Sequence, residues 1–129
     1  MEVNIPVSLG ELLDKISILE IKSKKISNDS KLTNIKKELN GLKKVLEDLN
    51  FNFSETNNLY EELYKINLTL WEIEDSIRIL EKDKNFDNEF IELARKVYFT
   101  NDKRFEIKSE INKHFGSEFF EEKQYVEYE

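Results

Sequence analysis

Apolar residues recur at helical spacing in four successive stretches of the chain, and this repeat is the strongest signal in the sequence. In the second stretch the apolar positions alternate steps of three and four residues, which gives a narrow seam of the coiled-coil kind. Those positions are Leu32, Ile35, Leu39, Leu42, Leu46 and Leu49. In the first stretch, Ser8 and Glu11 have the spacing of a capping box, which predicts a helix that begins at Leu9. The short polar connection at 28–30 predicts that these two helices form an antiparallel hairpin.

A second and longer helical hairpin is predicted from the remaining apolar pattern. Its first helix should run from about Glu55 to Lys84, with an aliphatic row on one side and a row of aromatic and polar residues about a third of a turn away. Its second helix should start after Asp87, a good N-cap, and end at Gly116, which suits a left-handed C-cap. A helix of ~30 residues is about 45 Å long, so the first hairpin cannot cover it. We expect apolar surface to remain exposed there, and a homodimer would bury it.

These patterns predict an all-α fold, with a four-helix arrangement of two antiparallel helical hairpins, the second hairpin longer, and short extended N- and C-terminal segments. The chain of 129 residues fits a single helical domain over 1–129. At the N terminus, Val3, Ile5 and Val7 alternate with polar residues or proline, which is a short extended pattern. After the second hairpin we expect one further helical turn or an extended tail that packs against the N-terminal segment.

Composition narrows the classes of function. The chain has no cysteine, which excludes disulfides, thiolate zinc sites and cysteine nucleophiles. Its formal charge of −7 argues against a nucleic-acid-binding protein, although residues 1–50 carry +1 and the remainder −8. No apolar run is long enough to span a bilayer, and the N terminus lacks the apolar core of a signal peptide. We therefore expect a cytoplasmic protein that binds neither nucleic acid nor membrane.

Lysines cluster around the turn of the first hairpin. They are Lys22, Lys24, Lys25, Lys31, Lys36, Lys37, Lys43 and Lys44. Such a patch could meet phosphates or an acidic partner. No arginine and no aromatic residue is interleaved with it, so base stacking and bidentate recognition are both missing. We interpret the patch as a solvated helix face.

Carboxylates at helical spacing occur on both long helices, as Glu72 with Asp75 and Glu89 with Glu92. Helical enzymes that hydrolyse nucleoside triphosphates hold divalent metals with such pairs. About a fifth of the chain is acidic, so several pairs of this spacing occur by chance. The orientation of Glu92 and Lys96 is instead typical of a solvated face. We expect no catalytic residue, no metal site and no cofactor.

Polar side chains interrupt the inner rows of the second hairpin, where the helical period requires apolar residues. In an antiparallel hairpin, residues of these helices whose numbers sum to about 171 face each other. Asn101 and Arg104 should therefore lie near Asn67, Trp71 and Glu74. The full set of candidate ligand-binding residues is Asn67, Trp71, Glu74, Arg78, Arg95, Tyr98, Asn101, Asp102, Arg104 and Lys108.

Two interpretations of this polar set are open. Guanidinium, aromatic and carboxamide groups together suit an anionic or planar ligand. Alternatively, the residues form a closed network of ion pairs, such as Glu74 with Arg78 or Arg104, that fixes the helix register and binds nothing. Whether the layer is closed or open to solvent distinguishes the two.

A family resemblance is carried by IPVSLGELLDKISILEIKSKKI near the start and by IEDSIR, FIELARKVYFTNDKRFEIKSEIN and GSEFFEEKQY near the end. These stretches resemble a family of small uncharacterised helical proteins from bacteria, phages and marine metagenomes, known as a domain of unknown function. The resemblance covers nearly the whole chain and implies no activity, cofactor or catalytic residue. It places these residues in the motif-bearing part of the family: Arg95, Tyr98, Asn101, Asp102 and Arg104.

We expect a non-enzymatic protein-interaction or scaffold module, because the apolar rows are seam-like and no catalytic constellation is present. Its partner would be a second copy, in a homodimer, or another protein. The alternative is a binding or enzymatic pocket for an anionic small molecule, a nucleotide or sugar phosphate, between the third and fourth helices.

Overall fold

Four helices form the fold, as the apolar pattern predicts. The computed structural model describes residues 1–117, 119 and 121–128. Its helices are α1 (Leu9–Lys25), α2 (Asp29–Asp48), α3 (Leu59–Lys82) and α4 (Asn88–Phe115). None of the described residues lies in a strand, and none of the helices they form is both long and apolar enough to cross a membrane. The all-α class and the longer second hairpin are thus confirmed.

Helix ends follow the local capping signals of the sequence. The hydroxyl of Ser8 accepts a hydrogen bond from the backbone N–H of Glu11 at 3.1 Å, so α1 begins where the capping pattern predicts. Asp87 caps α4 in the same way, through the N–H of Glu89. At the other end, Gly116 stops α4 with a φ of 63°, the left-handed conformation that glycine adopts without steric cost.

The start of the third helix differs from the prediction. It begins at Leu59 rather than near Glu55, after a single 3-10 turn over Phe53–Thr56. Asn57 and Asn58 both have positive φ values, 52° and 67°, and a right-handed helix cannot continue through that conformation. Asparagine tolerates it better than most residues, which explains why the chain turns at this pair.

The core lies where α1 crosses the base of the α3–α4 hairpin. The first turns of α1 contact the end of α4, and its later turns contact the start of α3, where the Tyr60 hydroxyl donates to Glu20 at 2.7 Å. α2 packs along α1. The buried apolar cluster draws on all four helices and consists of Leu12, Leu13, Ile16, Leu19, Leu39, Leu46, Tyr60, Leu63 and Ile111.

The far half of the second hairpin projects beyond α1 and α2. We call residues 74–100, which include the turn between α3 and α4, the arm. The structure describes every residue of the arm, and none of them is buried. Large apolar side chains near the turn are exposed to 59% at Ile79, 51% at Phe86 and 51% at Ile91. Exposed apolar surface is therefore present on the part of the second hairpin that the first hairpin does not cover.

Both ends of the chain are exposed and irregular. Residues 1–7 and 121–128 lie in neither helix nor strand. The described part of the C-terminal tail contacts α4. The predicted further helical turn falls partly on Glu118 and Phe120, which lie outside the described residues.

Candidate functional site

A buried carboxylate joins three helices at the base of the second hairpin. Asp14 of α1 is only 1% exposed. From α4, the guanidinium of Arg104 donates through Nε to Asp14 Oδ1 at 2.9 Å and through Nη2 to Oδ2. From α3, Asn67 Nδ2 donates to Asp14 Oδ1 at 2.8 Å and to Ser17 Oγ at 2.7 Å. Paired, charge-assisted hydrogen bonds are the strong and directional kind, so they fix α1 against both helices of the hairpin.

Lys108 lies one turn further along α4 and extends this network toward the surface. Its Nζ donates to Glu11 Oε2 at 2.8 Å and to Glu121 Oε2 at 3.0 Å, and it lies 3.8 Å from Asp14 Oδ2. Burial alone would lower the pKa of Lys108, but the hydrogen bonds to Glu11 and Glu121 outweigh it and raise that pKa. The pKa of Arg104 is also raised, chiefly by its hydrogen bonds to Asp14. The Glu11 carboxylate thus bonds to Lys108 instead of closing the predicted capping box.

Close approach of α1 to α4 depends on Gly10. Its backbone N–H donates to Asn112 Oδ1 at 2.7 Å. A Cβ atom at this position would lie 2.6 Å from the carbonyl oxygen of Lys108 and 2.8 Å from Asn112 Oδ1. Only glycine leaves room for the two helices to meet here, next to Asp14.

The network is closed. We call Asp14, Ser17, Asn67, Arg104 and Lys108 the polar layer. Within the described part of the chain, no buried side-chain nitrogen or oxygen lacks a hydrogen-bond partner. Removing one member of a buried ion pair typically costs about 3–5 kcal/mol, because it leaves the other charge without its partner. The polar layer therefore links the helices and commits its charges to one another.

A cleft lies beside the polar layer, in the corner between α1 and the start of the arm. Its volume is about 550 Å³. α1 contributes Ile18 and Lys22 to its wall, and α3 contributes side chains of one face between Asn67 and Arg78. Arg78 at the arm end is exposed, whereas Asn67 at the core end is buried, so the cleft is open on one side. It is the candidate site for a ligand.

Six of the ten predicted ligand-binding residues line this one cleft. They are Asn67, Trp71, Glu74, Arg78, Asn101 and Arg104. The helical register of the second hairpin thus brings the two polar rows to one place, as the sequence predicts. Glu74 forms the expected ion pair with Arg78, at 3.1 Å, whereas Arg104 pairs with Asp14 of α1 rather than with Glu74.

The other four predicted residues lie elsewhere. Lys108 belongs to the polar layer, and Arg95 lies on an exposed side of α4, where it pairs with a carboxylate one turn earlier. Tyr98 and Asp102 face a second cavity of about 540 Å³ between α4 and the C-terminal tail. The hydroxyl of Tyr128 in that tail donates to Asp102 Oδ2. Arg95, Tyr98 and Asp102 do not share the cleft because they project from other faces of α4, whereas Lys108 is on the same face as Arg104 but one turn further along the helix.

The first helix supplies site residues that the sequence reasoning missed. Asp14 and Ser17 anchor the polar layer, and Lys22 lines the cleft although the sequence assigned it to a solvated face. One local signal was present, since Gly10, Asp14 and Ser17 form a single helical row of small and polar residues, and all three are buried. A carboxylate in such a row needs a cation from another helix.

The paired carboxylates of the long helices do not assemble into a metal site. Among the described residues, no group of three histidine, cysteine, aspartate or glutamate side chains is placed to hold a metal ion. Glu72, Asp75, Glu89 and Glu92 are all exposed, as expected for solvated faces.

The fold and the site together define a four-helix protein whose helices are joined by a buried ion-pair layer and whose longer hairpin borders an open polar cleft. The chain belongs to the DUF6165 family, a family of unknown function, which it matches over residues 1–128. This match covers the stretches that carried the resemblance in the sequence. A search of curated proteins and a search of solved structures each gave no match.

Proposed function

We propose that this protein is a non-enzymatic interaction module whose arm pairs with the arm of a second copy. The observation that carries the proposal is that no residue of the arm is buried, although both of its helices have apolar rows. Two helices alone can cover only the faces they turn toward each other. A second hairpin packed against them would complete a four-helix bundle, in which each helix has two neighbours.

The total surface supports a partner of substantial size. The chain exposes 9456 Å², whereas a compact monomer of 15.5 kDa exposes about 7,200 Å². The exposed ends of the chain account for part of this difference, and the arm accounts for another part. A standard interface buries about 800 Å² on each partner, so the excess is large enough for one.

The charges of the arm are compatible with self-association. The chain as a whole carries −7, but the arm has seven acidic and five basic residues. Two arms would therefore repel each other weakly and could form ion pairs across their interface. Exposed Ile79, Phe86 and Ile91 supply the apolar centre that such interfaces need.

The polar layer supports a structural role for the base of the hairpin. Its charged groups are paired with one another, and so it can hold α1 and the arm in a fixed relation without catalysing a reaction. A rigidly mounted arm loses less conformational freedom when it pairs, which favours association.

Size-exclusion chromatography with light scattering tests the proposal. The wild-type chain should elute with a mass near twice 15.5 kDa. The double variant Ile79→Glu/Ile91→Glu places charges in the apolar centre of the arm and should be monomeric with an unchanged circular dichroism spectrum. Leu49→Glu is the matched control, because Leu49, the C-cap residue of α2, is exposed to 63% and lies outside the arm. Its variant should remain dimeric. A wild-type monomer, or loss of the dimer in the control alone, would rule out pairing through the arm.

A further inference from the structure

We infer that the cleft between α1 and the arm binds a small molecule made of a flat aromatic ring joined to one phosphate or carboxylate group. The site adjoins the proposed dimer surface, and its size of about 550 Å³ lies in the range of pockets that bind such ligands. Trp71, the only tryptophan of the chain, is half-buried in the wall of this cleft.

The indole of Trp71 has no partner within the described residues. No described aromatic ring stacks on it, no described cation lies over it, and its N–H makes no hydrogen bond to the described part of the chain. Tryptophan has a large flat apolar surface and a polar N–H at its edge, and it contributes most binding free energy when the surface is packed and the N–H is hydrogen-bonded. A planar ring entering the cleft would stack on the indole.

The side chains of Lys22 and Asn101 likewise have no bonding partner among the described residues. In the described residues neither side chain takes part in a hydrogen bond or an ion pair, although both line the cleft. This contrasts with the adjoining polar layer, in which every charge has a partner. The Lys22 ammonium can bind an anionic group, and the carboxamide of Asn101 can donate to and accept from the edge of a ring.

The charge balance of the cleft limits the ligand to one anionic group. Arg104 is committed to Asp14 and Arg78 to Glu74, so Lys22 is the cation of the cleft wall that is not already paired within the described residues. A triphosphate would bring further negative charge toward the carboxylates of Glu74 and Asp75, which also line the cleft. A ring with a single anionic group avoids that repulsion.

Binding at the cleft does not require the arm to be unpaired. Asn67, Trp71, Glu74 and Arg78 share one face of α3, and Ile79 lies roughly 100° around the helix from Arg78. Asp75, which also lines the cleft, lies one turn before Ile79, so the two surfaces adjoin along α3. Tryptophan fluorescence measures ligand binding and light scattering measures dimer formation, so the two can still be tested separately.

Fluorescence of the single tryptophan reports on the cleft directly. We would titrate the wild-type chain with adenosine monophosphate, uridine monophosphate and indole-3-acetate, and in parallel with adenosine, adenosine triphosphate and inorganic phosphate. A saturable change in fluorescence is expected with at least one of the three probes that join a ring to a single anionic group. Adenosine and adenosine triphosphate should bind more weakly than adenosine monophosphate. No saturable change with any of these probes up to millimolar concentration would overturn the inference.

Matched lysine variants locate the anionic group. Lys22→Ala should lower the affinity for adenosine monophosphate by about 2- to 5-fold, which is the usual contribution of an exposed ion pair. The affinity for adenosine should not change. Lys25→Ala, an exposed lysine in the same last turn of α1 that does not line the cleft, should change neither. Equal effects of the two variants would mean that general surface charge attracts the ligand, and the inference would fail. Light scattering of the same samples distinguishes this failure from failure of the dimer proposal.

Discussion

The Asp14 carboxylate of α1 and the Arg104 guanidinium of α4, ninety residues apart in the chain, form a two-pronged ion pair in the interior of the protein. Asn67 donates to the same carboxylate from α3. One residue of the shorter hairpin thus bonds to both helices of the longer hairpin.

Replacing Asp14 should destabilise the fold strongly. Asp14→Asn keeps the shape of the side chain but leaves Arg104 without its counter-charge, and we expect a loss of about 3–5 kcal/mol in urea unfolding. Asp75→Asn, which removes an exposed carboxylate, should change stability by less than about 0.5 kcal/mol. The double variant Asp14→Leu/Arg104→Met should recover part of the loss, because no unpaired charge is left. If the double variant lost as much stability as Asp14→Leu and Arg104→Met lose separately when added together, the pair would not be coupled.

Two glycines should respond oppositely to alanine. Gly10→Ala introduces a methyl group 2.6 Å from the carbonyl oxygen of Lys108, so we expect a loss of about 1–3 kcal/mol despite the higher helix propensity of alanine. Gly41→Ala on α2 meets no other atom within 4 Å and should gain about 0.5–1 kcal/mol. Thermal or urea unfolding measures both. Stabilisation by Gly10→Ala would contradict the close contact of α1 with α4.

The buried hydroxyl of Tyr60 should make the protein less stable at alkaline pH. Burial, followed by the hydrogen bond to Glu20, raises the pKa of Tyr60 in the folded state above its unfolded value of about 10. The protonated Tyr60 hydroxyl therefore makes its full contribution to the free energy of unfolding below about pH 10, and this contribution is lost as pH rises through the folded pKa. Between pH 8 and 11, the free energy of unfolding should fall more steeply for the wild type than for Tyr60→Phe. Tyr125→Phe, at an exposed position, should follow the wild type.

Hydrogen exchange should separate the arm from the base of the hairpin. In the monomeric variant Ile79→Glu/Ile91→Glu, amides in residues 74–100 should exchange faster than those of α1, because the arm has no buried residue. If wild-type chains pair through the arm as proposed, the arm amides of the wild type should be protected, and those of α1 should exchange at the same rate in both proteins. Equal arm exchange in the two proteins would place the interface elsewhere.

Much of the fold could be predicted because its determinants are local. The apolar period gave four helices, and Ser8, Asp87 and Gly116 are capping residues that act on their own backbone neighbours. The start of α3 was misplaced because the Asn57–Asn58 pair does not by itself specify two left-handed residues rather than a first helical turn. Helix ends were therefore predicted correctly where a single capping residue sets the end, and not where two residues act together.

The candidate site could be predicted only in part. Register within one hairpin follows from counting residues, and this brought Asn67, Trp71 and Asn101 together correctly. The partner of Arg104 was not found, because Asp14 comes from a helix whose crossing of the second hairpin depends on packing and not on any spacing in the sequence. Lys22 was assigned to a solvated face for the same reason.

The sequence by itself determined the helices, their caps and the polar rows of the long hairpin, because each depends on residues within a few turns of one another. The tertiary structure decided that the polar layer closes on Asp14, that the open cleft lies against α1, and that the arm is left without a buried residue. These features arise from how α1 lies across the α3–α4 hairpin. That crossing depends on packing of the shared apolar core, on the close approach of Gly10 to α4 and on one long-range ion pair. The close approach and the ion pair leave no periodic signal in the chain.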